Sequence, residues 1–161
     1  MPRLLLYSLF AVLLCTHVSA RSYTDAEARS AWEKLKKQKI NEENFRQACD
    51  LIQDVAQTNI NISYEIFAQY LPLVKSTGNR EWVHILLMSW ARAKESLTAY
   101  DEADSLYRLA RENASADPQR YDEAIVATVL MYLEWGRGDS VAKYLAEGEG
   151  VCRRKKDNGG Y

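Results

Sequence analysis

Residues 100–114 read YDEADSLYRLARENA, and this stretch decides the fold class. Strong helix formers make up most of it, and neither proline nor glycine interrupts it. Ala103, Tyr107 and Ala110 follow one another at intervals of four and three residues, so they share one helix face. Small residues on either side of an aromatic ring let a second helix approach closely. We therefore predict a helix that packs tightly against a neighbouring helix.

The rest of the sequence has the same character, because only three prolines and seven glycines punctuate it and strand patterns are nearly absent. TDAE at Thr24–Glu27 is a capping box that starts a helix, and Pro118 after Asp117 starts another. We predict an all-α fold of seven helices at about 24–38, 41–57, 61–75, 80–97, 100–114, 118–135 and 139–152. Pro72 should kink or shorten the third of them. Short connections predict that consecutive helices pack as antiparallel hairpins.

Aromatic residues recur at similar places near the starts of three helices. Phe45, Trp82 and Tyr121 follow one another at intervals of 37 and 39, and a further interval of 40 leads to Tyr161. Nearly equal spacing of this kind is typical of helical repeats. We therefore expect the closing DNGGY to be the first turn of a further repeat, and the basic run Arg153–Lys156 to stabilise the end of the preceding helix.

The pattern around Tyr107 resembles the second helix of a tetratricopeptide repeat, and the resemblance extends over about residues 41–157. It implies an α-solenoid of helix hairpins with a period near 39, longer than the usual 34 of that family. A second YDEA, at 121–124, falls in a different register and belongs to a first helix. The residues expected to pack repeats together are Leu87, Trp90, Ala91, Ala103, Tyr107, Ala110 and Ala142.

First helices line a concave groove in that family, so the resemblance also implies a surface for a protein or peptide segment. Two methionines with flanking charges suit an adaptable groove, although ordinary core packing explains them equally well. The implied groove residues are Ile85, Met88, Arg92, Glu95, Ala127, Met131 and Glu134.

The first twenty residues have the composition of a secretory signal peptide. Arg3 precedes the apolar run Leu4–Cys15, and the small residues before Ala20 predict cleavage after it. The run is shorter than the roughly 20 residues that span a membrane. We expect residues 1–20 to be removed and residues 21–161 to form one exported, periplasmic or secreted, domain.

Charge and cysteine content narrow the function. Removing Arg3 changes the net charge from −1 to −2, which does not favour a nucleic-acid partner. Cys49 and Cys152 remain, either as two separate thiols or as a disulfide. His84 is then the only histidine, so neither a closed metal site nor a Cys–His pair is indicated.

We therefore expect a non-enzymatic scaffold without a cofactor. Exported arrays of this kind resemble the sensory regions that precede a membrane helix in bacterial two-component kinases and regulators. The alternatives are a small exported helical enzyme and a self-assembling module whose last repeat leaves apolar surface exposed. The enzyme alternative requires His84, Cys49 and a carboxylate to meet in one cleft.

Overall fold

A computed structural model describes residues 22–158, with side chains described for residues 22–149. Seven helices and no strand occupy this part of the chain, which confirms the all-α fold. The helices are α1 (Asp25–Leu35), α2 (Glu42–Ala56), α3 (Ile60–Ser76), α4 (Arg80–Ser96), α5 (Tyr100–Asn113), α6 (Pro118–Glu134) and α7 (Gly138–Asn158).

Side-chain caps set where the helices begin. Thr24 and Glu27 form the expected capping box at α1, and Asn41 forms a second box with Asn44 at α2. Asn79 accepts a hydrogen bond from the Trp82 amide at the start of α4. Each cap satisfies backbone amides that the first helical turn leaves without a partner.

The packing follows the chain order. Every helix packs against the next, and three pairs also pack across one intervening helix: α1 with α3, α2 with α4, and α4 with α6. No pair of the described helices further apart in the chain makes a substantial contact. The helices therefore form an array in which α2, α4 and α6 lie side by side.

Stacked aromatic rings join neighbouring hairpins inside the array. The buried Phe45 ring on α2 lies 5.2 Å from the ring of Trp82 on α4 and 6.2 Å from that of Tyr70 on α3. In the other half, the Tyr132 ring on α6 stacks on that of Tyr144 on α7 at 5.4 Å. Such contacts between the rings hold neighbouring helices together.

Three helices differ from their sequence-based expectations. Helix α1 ends at Leu35, earlier than expected, and α7 continues past Cys152 to Asn158. Asp157 and Asn158, expected to open a further repeat, therefore belong to α7. Helix α3 runs through Pro72 without being shortened. The carbonyl of Ala68, which loses its amide partner to Pro72, belongs to an exposed residue, so water can reach it.

Several expectations concern residues outside the described part. They are the signal peptide at 1–20, the repeat position of Tyr161 and the pairing of Cys152. Among the described residues, no helix combines the length and the apolar character needed to cross a membrane.

Thr98 is the one described residue other than glycine with a positive φ, at 57°. It follows α4 where α3 and α6 are followed by Gly78 and Gly136, both at φ 72°. A β-branched residue pays a steric penalty in this left-handed region that glycine does not.

We expect Thr98→Gly to stabilise the fold by about 0.5–1 kcal/mol, after allowing for the greater freedom of glycine in the unfolded chain. Urea unfolding measures the difference. The matched control is Thr77→Gly, because Thr77 has an ordinary φ of −71° and should only lose stability. A loss of stability in Thr98→Gly would contradict the assigned strain.

Candidate functional site

A groove of about 770 Å³ lies between α4 and α6, with α5 beneath it. We call it the α4–α6 groove. Arg92 and Glu95 lie on its α4 side, and the Tyr107 side chain reaches it from α5. The α6 side carries both polar and apolar groups: Gln119, Asp122, Glu123, Val126, Ala127 and Leu130.

An apolar stripe on α6 continues this wall. Val126, Leu130 and Leu133 are 56%, 54% and 57% exposed, whereas most described leucine, isoleucine and valine side chains are buried or partly buried. Their spacing of four and three residues places them on one face of the helix. Exposed aliphatic side chains in a continuous row beside a groove are typical of an interaction surface.

A buried tyrosine and a carboxylate meet at the groove. The Tyr107 hydroxyl donates a hydrogen bond of 2.5 Å to Glu95 Oε2. Burial raises the pKa of Glu95, the tyrosine hydrogen bond lowers it, and nearby Glu134 raises it further. Burial and the same carboxylate raise the pKa of Tyr107. The hydroxyl is therefore a fixed donor, and it holds the Glu95 carboxylate at one place in the groove.

The structure brings together only some of the residues implied by the family resemblance. Arg92, Glu95 and Ala127 line the α4–α6 groove. Ile85 lines a separate depression of about 710 Å³ between α2 and α4. The remaining three are distributed between core and surface: Met88 and Met131 are buried in the core, and Glu134 is exposed outside the groove lining.

A one-residue difference in register explains the positions on α6. Helix α4 begins at Arg80 and α6 at Pro118, an interval of 38, whereas the sequence-based register used 39. A shift of 38 places Val126, Leu130 and Leu133 at the positions that Met88, Arg92 and Glu95 occupy on α4. The sequence-based register therefore named the residue that follows each member of the apolar stripe: Ala127, Met131 and Glu134.

The sequence contained a signal for the correct register. The cap residues Asn41, Asn79 and Asp117 all accept hydrogen bonds from the first turn of their helices, and successive caps are separated by the same interval of 38. An aromatic residue near a helix start can occupy more than one position in the first turns. The spacings of 37 and 39 between the aromatic residues therefore define the register less sharply. Cap residues have only one position relative to the helix.

Six of the seven residues expected to pack helices together are buried: Leu87, Trp90, Ala91, Ala103, Tyr107 and Ala110. Ala142 is exposed, so its prediction was wrong. In the register of 38, Val141 takes its place and packs against the core. Gly148 corresponds to Ala110, and a Cβ added there would lie 3.3 Å from Ile125 Cγ2. An alanine at position 148 would therefore require the Ile125 side chain to move by a few tenths of an ångström.

His84 and Cys49 are both buried, with different partners. His84 Nδ1 lies 3.1 Å from the Ala110 carbonyl oxygen, which can only accept, so the neutral ring carries its proton on Nδ1. Nε2 has no hydrogen-bond partner and lies 4.0 Å from Glu123 Oε2. Burial raises the pKa of the Cys49 thiol to about 12, although a hydrogen bond with Ser89 opposes the shift.

The protonated Cys49 thiol is a poor nucleophile at neutral pH. Among the described side chains, no group of three or more His, Cys, Asp or Glu residues could hold a metal ion.

Comparison with known proteins supplies no template for these features. The sequence matches no family model, and neither the curated proteins nor the solved structures yield a match. Function is therefore inferred from the groove and the side chains around it.

We expect Tyr107→Phe to lower the free energy of unfolding by about 1–2 kcal/mol, because Glu95 loses its fixed donor. Urea unfolding at pH 7 measures the loss. Glu95→Gln and the double variant complete a double-mutant cycle. Additive effects of the two substitutions would show that the Tyr107–Glu95 bond does not stabilise the fold.

We expect His84 to make stability depend on pH. Burial lowers its pKa below the ordinary 6.5, although the Ala110 carbonyl and Glu123 act in the opposite direction. The unfolded chain therefore takes up the proton first as the pH falls. The stabilising contribution is complete above about pH 6.5 and is lost as the pH falls toward the lower native pKa.

Chemical unfolding of the wild type and His84→Gln between pH 7.5 and 5 measures this effect, with roughly half-unit steps. As the pH falls, the variant should lose less stability than the wild type, even if it is less stable at pH 7.5. Glu95 contributes in the direction opposite to His84, because its raised pKa stabilises the native state as the pH falls. This contribution is the same in both proteins and does not affect their difference. Equal slopes in the two proteins would contradict the assignment to His84.

Proposed function

We propose that this protein is a non-enzymatic helical-repeat scaffold that binds a protein or peptide segment along the α4–α6 groove. The observation that carries the proposal is the exposed apolar stripe of Val126, Leu130 and Leu133 beside a groove with charged walls. Three helices that begin at equal intervals of 38 and lie side by side support the repeat interpretation.

The proposal includes export. The composition of residues 1–20, with one basic residue before an apolar run and small residues before Ala20, supports a secretory signal peptide. A sensory input role in a signalling protein is the form of this function that the resemblance to exported helical arrays suggests.

The surroundings of the two potential catalytic side chains favour a binding role over the enzyme alternative. The Cys49 thiol is buried and protonated, and its hydrogen-bond partner is Ser89. The buried His84 imidazole is instead held by the Ala110 carbonyl of α5. A nucleophile and its base must lie within hydrogen-bond reach of each other.

Display of a random peptide library tests the proposal. Peptides selected on the wild-type protein are screened against Leu130→Ser and against Leu109→Ser, whose leucine is 43% exposed on α5 away from the groove. We expect a family of peptides whose binding is weakened at least about tenfold by Leu130→Ser only, roughly the loss of one buried aliphatic contact.

Circular dichroism and thermal melts verify that both variants remain folded. If no selected peptide distinguishes Leu130→Ser from the Leu109→Ser control, the groove is not a peptide-binding site and the proposal fails.

A further inference from the structure

The residues around the apolar stripe carry a net negative charge. The lining of the α4–α6 groove contains three carboxylates, on Glu95, Asp122 and Glu123, and one guanidinium, on Arg92. Glu134 lies close enough to Glu95 to raise the pKa of its carboxyl group. A ligand that fills this groove must therefore compensate negative charge as well as cover apolar surface.

In the part of the groove lining that α6 contributes, the carboxylates and the apolar side chains are separated along the helix, and Glu134 lies outside this lining. Gln119, Asp122 and Glu123 lie toward its amino end, and the apolar stripe lies toward its carboxyl end, on the same face of the helix. From residue 119 to residue 133 the face is about 21 Å long at 1.5 Å per residue. A helix of about 14 residues has the same length.

The equivalent face of an earlier helix has a different chemistry. The positions of Val126, Leu130 and Leu133 correspond to Asp50, Asp54 and Gln57 of the α2 region in the register of 38. Polar side chains therefore occupy these positions there, whereas α6 exposes aliphatic groups to water. At these three equivalent positions, exposed apolar side chains are therefore found on α6 and polar ones in the α2 region.

We propose that the α4–α6 groove takes an amphipathic helix with lysine or arginine residues at one end and an apolar row at the other. The apolar row would cover Val126, Leu130 and Leu133, and the basic end would face Asp122 and Glu123. This inference rests on the proposed function and names the chemistry of its partner.

Helical geometry favours this occupant over an extended segment. Side chains spaced by four and three residues form a ridge, and another helix presents ridges at the same spacing. A second copy of the chain fits less well, because it would bring the carboxylates around both grooves into one interface.

Four designs of labelled synthetic peptide test the inference, and the first is made in two versions. The first design carries three leucines spaced by four and three residues and three lysines, which lie at the amino end in one version and at the carboxyl end in the other. The second is its acidic twin, with glutamate in place of lysine. The third carries a central proline that prevents the helix, and the fourth is a scramble of the first.

Fluorescence anisotropy with the protein measures the four affinities at low and high salt. We expect the basic helix, in at least one order, to bind at least about tenfold more tightly than the other three. Raising the ionic strength from about 0.05 to 0.5 M should reduce its advantage over the acidic twin.

Groove variants locate the bound peptide. Leu130→Ser and the pair Asp122→Asn with Glu123→Gln should each weaken the basic helix about tenfold, whereas Leu109→Ser should change its Kd less than about twofold. Only the carboxylate variant should also remove the salt dependence.

Each other result overturns the inference. If the acidic or the proline peptide binds as tightly as the basic helix, the partner does not have the proposed chemistry. If none of the peptides binds, a basic amphipathic helix is not the occupant of the groove. Concentration-dependent dimerisation that Leu130→Ser abolishes, measured by analytical ultracentrifugation, identifies a second copy as the occupant.

The library selection separates this outcome from failure of the proposed function. Selected peptides that depend on Leu130 but lack basic residues or a helical apolar row leave the binding function standing and reject the amphipathic helix. If selected and designed peptides are both insensitive to Leu130→Ser, both proposals fail.

Discussion

Three side-chain caps, on Asn41, Asn79 and Asp117, determine where the side-by-side helices of this protein begin. Each oxygen accepts hydrogen bonds from amides of the first turn, and the interval between successive caps is 38. A helix start fixes which residues face inward, because side-chain direction turns by a constant angle per residue. The burial pattern and the surface of the array depend on this constraint.

The same register places the groove over the buried contact between α4 and α5. Ala91, Ala103 and Ala110 are fully buried and let α4 and α5 approach each other around Tyr107. The Tyr107 hydroxyl then reaches Glu95 at the surface. A polar group of the groove is thus held by the core, which limits the conformations a ligand must select.

The fold class could be predicted from sequence because helix formers, caps and short connections agree at nearly every position. Apart from the end of α1, the boundaries of the first six helices lie within one residue of the expected ones. The end of α7 differs more, because the run Arg153–Lys156 consists of strong helix formers that carry the helix past Cys152. Without a glycine or proline in that run, no local signal ends the helix before Asn158.

The groove could be predicted only in part. Arg92 and Glu95 were found because the aromatic and small residues of α4 and α5 define their own register. On α6, one residue of error exchanged the exposed Leu130 for the buried Met131. The buried Arg111 gave no signal at all. Its guanidinium contacts the Thr128 hydroxyl and lies 4.7 Å from the ring centre of Tyr144, partners that only the packed helices bring together.

Thiol labelling of single cysteines tests this register most directly. Leu130→Cys and Met131→Cys are made separately in a chain whose Cys15, Cys49 and Cys152 are alanine, and maleimide reaction rates are compared in the folded and denatured states. We predict that Leu130→Cys reacts almost as fast in the folded as in the denatured state, and that folding protects Met131→Cys about a hundredfold or more. Faster labelling of the folded Met131→Cys protein than of the Leu130→Cys protein would contradict the register and the groove built on it.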